Sequence, residues 1–467
     1  MGMLNKHGGS FKLRAAATKT NNETSYPHRH FSAPCSRDPP NRYLPFTSQD
    51  LINLEKWYFS VDNFFSINNT LPLDLPEDVG PNLYKDYDLK KPWNFTLSDH
   101  RSEEFEILNG TAGCFIPGTT SSKLRGTEVT CRCTSGYGGP HCSVPSIVQE
   151  SLPQGHVPTP RNKPRRIILS TKFNMEHHLL MLKMLQVHSA VDLFLILESN
   201  YTGHGDPRSL RLLHNLRRGY MKRFHHKIMH VFIDTFPSKG QLYGGLAEDY
   251  INKYITPALE TRVSGLRNDD LFIYMDTDET PDVKILQFLK LHNGYSFPVG
   301  FVLQHFMYGF YWEYSPTKII GVCSLQMFRD VYNGNVYALR ADREWKSSSP
   351  KSHAWFIGSP ANYAGWHASW FSSPWEVITK LTSAINADFP RWGDYPEKCT
   401  FDYVATLFIK GGYFDGKKQF KPICFDDIYV LKDHSYLFKH KEYFNFMLHN
   451  PSSIKMDSEG QTLYTRG

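Results

Sequence analysis

The chain has no run long enough to cross a membrane. A span needs about 18 consecutive apolar residues, and the longest candidates, 191–197 and 301–312, are short or broken by polar residues. Residues 1–30 hold no apolar segment of the kind a secretion signal carries. Charge of one sign is also scarce: 52 Lys+Arg against 46 Asp+Glu leave a net +6, spread without a long basic run. That balance sets nucleic acid aside as a partner. Several catalytic signatures are missing too, since there is no G-x-S-x-G elbow, no P-loop and no G-x-G-x-x-G after a strand. His177/His178 and His225/His226, with His230, lack the cysteine or carboxylate company of a zinc site and read as surface residues.

What is present divides the chain. Residues 1–110 show little periodicity and much Pro, Asn and Ser, as expected of a flexible, largely disordered stem with at most a short helix within 47–65. Sequons stand at Asn22, Asn68, Asn94, Asn109 and Asn200, which favours a lumenal or extracellular setting. Four of the eight cysteines, Cys114, Cys131, Cys133 and Cys142, fall within 111–145. Such clustering suits a disulfide framework, for which four cysteines allow three pairings. The run from Cys131 to Cys142 reads C-x-C-x-x-G-Y-x4-C and resembles the second half of an epidermal-growth-factor-like module. That resemblance implies Cys114–Cys131 and Cys133–Cys142 pairs. A Pro-rich linker, 146–164, follows; then comes a domain over 165–451 and a tail over 452–467.

From Arg165 onward strands and helices alternate, which defines an α/β class with a mostly parallel central sheet. Strands are expected at 166–173, 191–198, 230–234 and 271–275, and helices after Asn174 as a cap, over 247–259, 282–291, 375–385 and 401–410, the last stopped by Gly411-Gly412. The stretch that organises this pattern is 269–281, DDLFIYMDTDETP. A buried strand that ends in Asp276 and Asp278 would put two carboxylates on one face of an extended backbone. Oxygen ligands of that kind suit Mn²⁺, with Mg²⁺ the other possibility. A D-x-D triplet alone is weak evidence, because about one or two copies arise by chance in a chain of this length. Asp86 and Asp88 make such a copy, but no apolar strand leads into them. Two later segments, 358–370 with Trp366, His367 and Trp370, and 388–395 with Asp388, Arg391, Trp392 and Asp394, suit either ligand contact or a buried aromatic core.

Taken in order, ESNYTGHGDPRSL (198–210), DDLFIYMDTDETP (269–281), GSPANYAGWHASW (358–370) and DFPRWGDY (388–395) resemble glycosyltransferase family 17. The resemblance implies a GT-A-like fold and inverting transfer of N-acetylglucosamine from UDP-N-acetylglucosamine to the 4-hydroxyl of the core β-mannose of N-glycans. It also implies Mn²⁺ dependence, a Golgi lumenal location and membrane association, although no spanning segment is visible. Under that reading Asp278, with Asp276 through water, holds the metal, and His367 adds a ligand. A carboxylate must deprotonate the acceptor; Asp394 is the first candidate, with Asp388 and Glu279 behind it. Arg208 and Arg391 suit phosphate or acceptor contact, and Glu198 and Asn200 would border the nucleotide, a role that competes with glycosylation of Asn200. A transferase with another donor or acceptor, and a non-catalytic glycan-binding protein, stay open as alternatives.

Overall fold

In the computed structural model, residues 94–99, 104–108, 111–125, 128–240, 244–342, 354–383, 392–423, 428, 437, 444–451, 454–456 and 462–464 are described. The expected parallel core is there. Strands β1 (Ile167–Phe173), β2 (Leu193–Ser199), β3 (Ile228–Ile233) and β4 (Leu271–Tyr274) pair in parallel in the order β3-β2-β1-β4. All seven residues of β2 are buried, as a parallel strand covered on both faces requires. Its Phe194 and Ile196 point into one core, and Leu193, Leu195 and Leu197 into the other. Each such side chain contributes about 1.5–3 kcal/mol by leaving water.

Beyond β4 the sheet is mixed. It continues through β7 (Gly309–Ser324), β6 (Val299–Met307), β8 (Gly365–Ser369) and β5 (Glu279–Pro281), with β4–β7, β7–β6 and β8–β5 antiparallel and β6–β8 parallel. The aromatic, irregular sequence after Phe297 thus corresponds to bulged strands, with register shifts along β6.

One face carries α1 (His177–Val187), α4 (Val283–Leu291), α6 (Pro374–Thr382) and α7 (Phe401–Lys410). The other carries α3 (Ile255–Arg262) and α5 (Val336–Arg340). Helix α7 has the expected ends: Thr400 accepts from the Tyr403 amide, and Gly411 closes it at φ +69. Other helices depart from expectation. The segment 247–259 is split between α2 (Gly244–Asn252) and α3, because Pro257 lacks an N–H and fits only a first turn. Asn174 does not cap α1, whose first residue is His177 and whose N-cap is Glu176; the Asn174 side chain instead accepts from Arg208. The histidines are not all at the surface. His178, His225 and His230 are buried, and each ring donates to an acceptor: Phe371 carbonyl, Tyr220 carbonyl at 2.7 Å and Glu198 at 2.8 Å.

The segments ahead of the sheet pack on it. Disulfides join Cys114 to Cys131 and Cys133 to Cys142. Ser143 bonds His292 at the end of α4 at 2.8 Å. The linker is docked, with a helix over Ser146–Ser151 that buries Ile147 and Val148, and with Thr159–Pro160 paired to His292–Asn293. Within the stretch read as stem, Phe95–Thr96 pairs with Val263–Ser264, and Asp99 meets Lys163 at 2.5 Å and Arg267 at 2.7 Å.

Candidate active site

The chain runs β1, β2, β3 in one direction across the sheet and then returns to place β4 on the other side of β1. In such sheets the crevice at the carboxyl ends of the strands flanking that reversal is the binding position. A cavity of about 540 Å³ opens there. Lys172 from the end of β1 and Asp276 from the end of β4 meet across it at 3.4 Å.

The acidic segment is a turn rather than a continued strand. β4 stops at Tyr274, and the Glu279 amide donates to the Asp276 carbonyl at 2.9 Å while the Asp276 amide donates to Glu279 Oε2 at 2.9 Å. Thr277 turns inward and donates to the Lys172 carbonyl, so Asp276, Asp278 and Glu279 all line the cavity. Beneath the turn the fully buried Lys183 donates to the Asp276 carbonyl. Burial, only partly offset by the carboxylates above, pulls its ammonium down to about 8. Arg340 of α5 donates to both Glu279 oxygens, at 2.9 and 2.8 Å, and lies 3.5 Å from Asp276. The ends of the turn are therefore clamped from three sides by cations.

Strand β8 supplies the opposite wall. Its alternation sends Trp366 into the core, where the indole donates to Gln186 at 3.0 Å, and His367 and Ser369 into the cavity. The β5–β8 register sets His367 opposite Glu279, and His367 Nε2 lies 3.5 Å from Asp278. Burial raises the Asp278 carboxyl, but His367 outweighs it and holds Asp278 well below the usual carboxylate range. Burial likewise opposes the charged form of His367, yet Asp278 raises it overall. Burial and then the His367 charge push its stacked neighbour His305, 4.2 Å away, down to about 3, so His305 is neutral. Ser369 Oγ bridges the two rings at 2.9 and 3.1 Å.

Two further cations and a carboxylate complete the polar lining. Arg208 is held by the Ser199 carbonyl at 2.9 Å and by Asn174. Lys380 of α6 pairs with Glu176 at 3.1 Å and sits 5.1 Å over the Trp370 ring. At one end Tyr201, Phe236, Tyr250 and Ile251 line the space; at the other Tyr314, Trp370, Tyr413 and Phe420 do, with Lys418 5.1 Å over Tyr413.

The structure thus brings together Arg208, Asp276, Asp278, Glu279 and His367 of the residues named from sequence. It does not bring Glu198, which is buried and caps Arg211–Arg217 by accepting from the Leu212 and Leu213 amides at 2.8 and 3.1 Å. Asn200 is half-buried outside the lining, with its side-chain oxygen buried and unbonded. Asp394 is exposed in a short 3-10 turn away from the lining. Asp388 and Arg391 lie outside the described residues. Sequence reasoning missed Lys172, Glu176, Lys183, His305, Arg340 and Lys380. Lys172 and Glu176 sit at and just beyond the carboxyl end of β1, where such a sheet binds its ligand; the others carry no local signal. Among the described residues no group of three His, Cys, Asp or Glu side chains is gathered to hold a metal ion.

An α/β domain with an acidic turn at the switch point of its sheet is the class that fold and cavity define. Residues 138–333 match the model of glycosyltransferase family 17. The chain is 36% identical over 343 residues to the β-1,4-mannosyl-glycoprotein 4-β-N-acetylglucosaminyltransferase of Rattus norvegicus, covering 70% of this chain and 63% of the rat protein. It is also 36% identical over 336 residues to the protein of the same name from Homo sapiens, covering 69% of this chain and 62% of the human one. The chain therefore spans less than two thirds of the length of these relatives. No solved structure matches it.

Proposed function

We propose that the protein is an inverting glycosyltransferase that moves N-acetylglucosamine from UDP-N-acetylglucosamine to the 4-hydroxyl of the core β-mannose of N-glycans. The observation that carries this reading is the Asp276–Glu279 turn, clamped by cations at the switch point of the sheet and open to a cavity of about 540 Å³. The names of its relatives supply the sugar and the acceptor. The same reading takes the domain as GT-A-like, the cysteine segment as an epidermal-growth-factor-like half-module, and the protein as Golgi lumenal and membrane-associated.

Mn²⁺, or Mg²⁺, fits the donor set in a limited way. Such an ion is bound by one or two carboxylates and takes its remaining oxygens from substrate phosphates. Asp278 faces the cavity with only His367 as a partner, and Asp276 is shared among Lys172, Arg340 and the Tyr274 hydroxyl. Asp278 and His367 would hold the ion, with Asp276 at its edge, and the ion would offset charge on the departing diphosphate. Lys172 and Arg208 line the same region and suit the phosphates. Glu279, with both oxygens on Arg340, fixes the turn rather than moving a proton. Of the described carboxylates in the lining, Glu176 is the one outside the turn. Burial raises it, but Lys380 prevails and keeps it ionised, as a base for the mannose hydroxyl must be.

The test is donor profiling of the purified protein with Mn²⁺ and a biantennary N-glycan, followed by linkage analysis of the product. Transfer of N-acetylglucosamine to the core mannose O4 is expected. Transfer from a different UDP-sugar would replace the donor, and turnover with none would leave a glycan-binding protein.

A further inference from the structure

The aromatic lining does not end at Tyr413. Its ring stands 6.3 Å from Trp392 at 89°, and Trp392 is 5.9 Å from Tyr395. Trp392 also lies 6.4 Å from Phe414 at 28°, and Phe414 is 5.2 Å from Trp370 in the cavity wall. Rings therefore run without a break from the cavity to the surface, where Tyr395 is 39% exposed.

The segment that carries them is stiff. Trp392–Asp394 and Pro396–Lys398 are consecutive 3-10 turns. Gly393 packs so closely on α6 that a Cβ there would sit 2.2 Å from the Leu381 carbonyl oxygen. Lys398 lies 4.8 Å over Trp392 and donates to the Phe414 carbonyl, pinning the inner rings. Asp394 and Glu397, both exposed, flank Tyr395 in the sequence. A pre-formed surface ring beside carboxylates matches a pyranose, whose C–H face is apolar and whose hydroxyls donate hydrogen bonds. Holding a second sugar of the same molecule also raises the local concentration of the first at the cavity.

We propose that Trp392 and Tyr395 form a carbohydrate subsite that extends the cavity and holds an outer branch of the acceptor glycan. The inference rests on the glycosyltransferase reading and adds a second point of acceptor contact to it. Asp394 then bonds sugar hydroxyls and takes no proton from the reacting one.

The experiment compares Tyr395→Ala, Tyr395→Phe and the wild type on a biantennary glycan and on a core glycan trimmed of its branches. Ile116→Ala, an exposed apolar position in the cysteine segment, serves as the control. Tyr395→Ala is expected to raise KM for the biantennary glycan about tenfold, with kcat and the KM values for donor and trimmed glycan unchanged, and Tyr395→Phe to restore it. Equal effects on both acceptors, or none, overturn the subsite. If the wild type transfers to neither glycan, the proposed function fails, and saturation-transfer NMR with the biantennary glycan then decides. Loss of signal in Tyr395→Ala alone supports the subsite, whereas equal signals overturn it.

Discussion

The two walls of the cavity are built by different means. The wall at the ends of β1 and β4 comes from short parallel strands buried on both faces, with the acidic turn held by Lys172, Lys183 and Arg340. The facing wall comes from bulged strands β6 and β7, from β8, and from the 413–420 segment, with aromatic rings and Lys418 as its main lining. A fixed charge constellation and an aromatic surface suit the two halves of a transfer reaction. A diphosphate needs charges at set positions, whereas a glycan offers hydroxyls and apolar ring faces.

The largest effect should fall on the acidic wall. Asp278→Ala is expected to lower transfer by on the order of 10³-fold, read by mass spectrometry of the product. Its melting temperature should fall, because Asp278 is held ionised by His367 and its removal leaves the buried imidazolium without that partner. Arg340→Ala should be the more damaging change to stability. It leaves Glu279, 3% exposed, as an uncompensated buried charge and should cost about 3–5 kcal/mol in urea unfolding.

A smaller and pH-dependent effect is expected where the walls meet, at Glu176 and Lys380. The folded-state value of Glu176 is lowered from its ordinary 4.5. Its stabilising contribution is therefore present above pH 4.5 and is lost as pH falls through the lower folded value. The stability gap between wild type and Glu176→Gln, measured by chemical denaturation, should narrow steadily on acidification below 4.5. Its turnover at neutral pH should drop by about 10²-fold or more if Glu176 is the base. The smallest effect belongs to the aromatic side. Asp394→Asn should leave UDP affinity and turnover on a trimmed acceptor within about twofold, as exposed substitutions usually do.

Legibility follows the same division. The parallel strands, α7 with its Gly411 stop, and the placement of Asp276 and Asp278 just past a strand end were readable because each is encoded by neighbours in sequence. His367 was found by resemblance, and the β5–β8 register gives it a physical place. Arg340 and Lys380 were not readable, because each meets the site only through folding; Arg340 is 61 residues from Glu279. The buried histidines were misjudged for a related reason, since the Phe371 and Tyr220 carbonyls and the Glu198 carboxylate meet them only through folding. Glu198 shows the converse: a carboxylate in a distinctive motif can cap a helix as readily as it can line a cavity.

The central claim is that the acidic turn holds the donor's diphosphate. Calorimetry of UDP binding with and without Mn²⁺, on wild type and Asp278→Asn, tests it directly. Binding that requires Mn²⁺ and weakens by about 10²-fold or more in the variant is predicted, the size expected when a charged ligand contact is removed. UDP binding of equal strength in both proteins, with or without the metal, would contradict it.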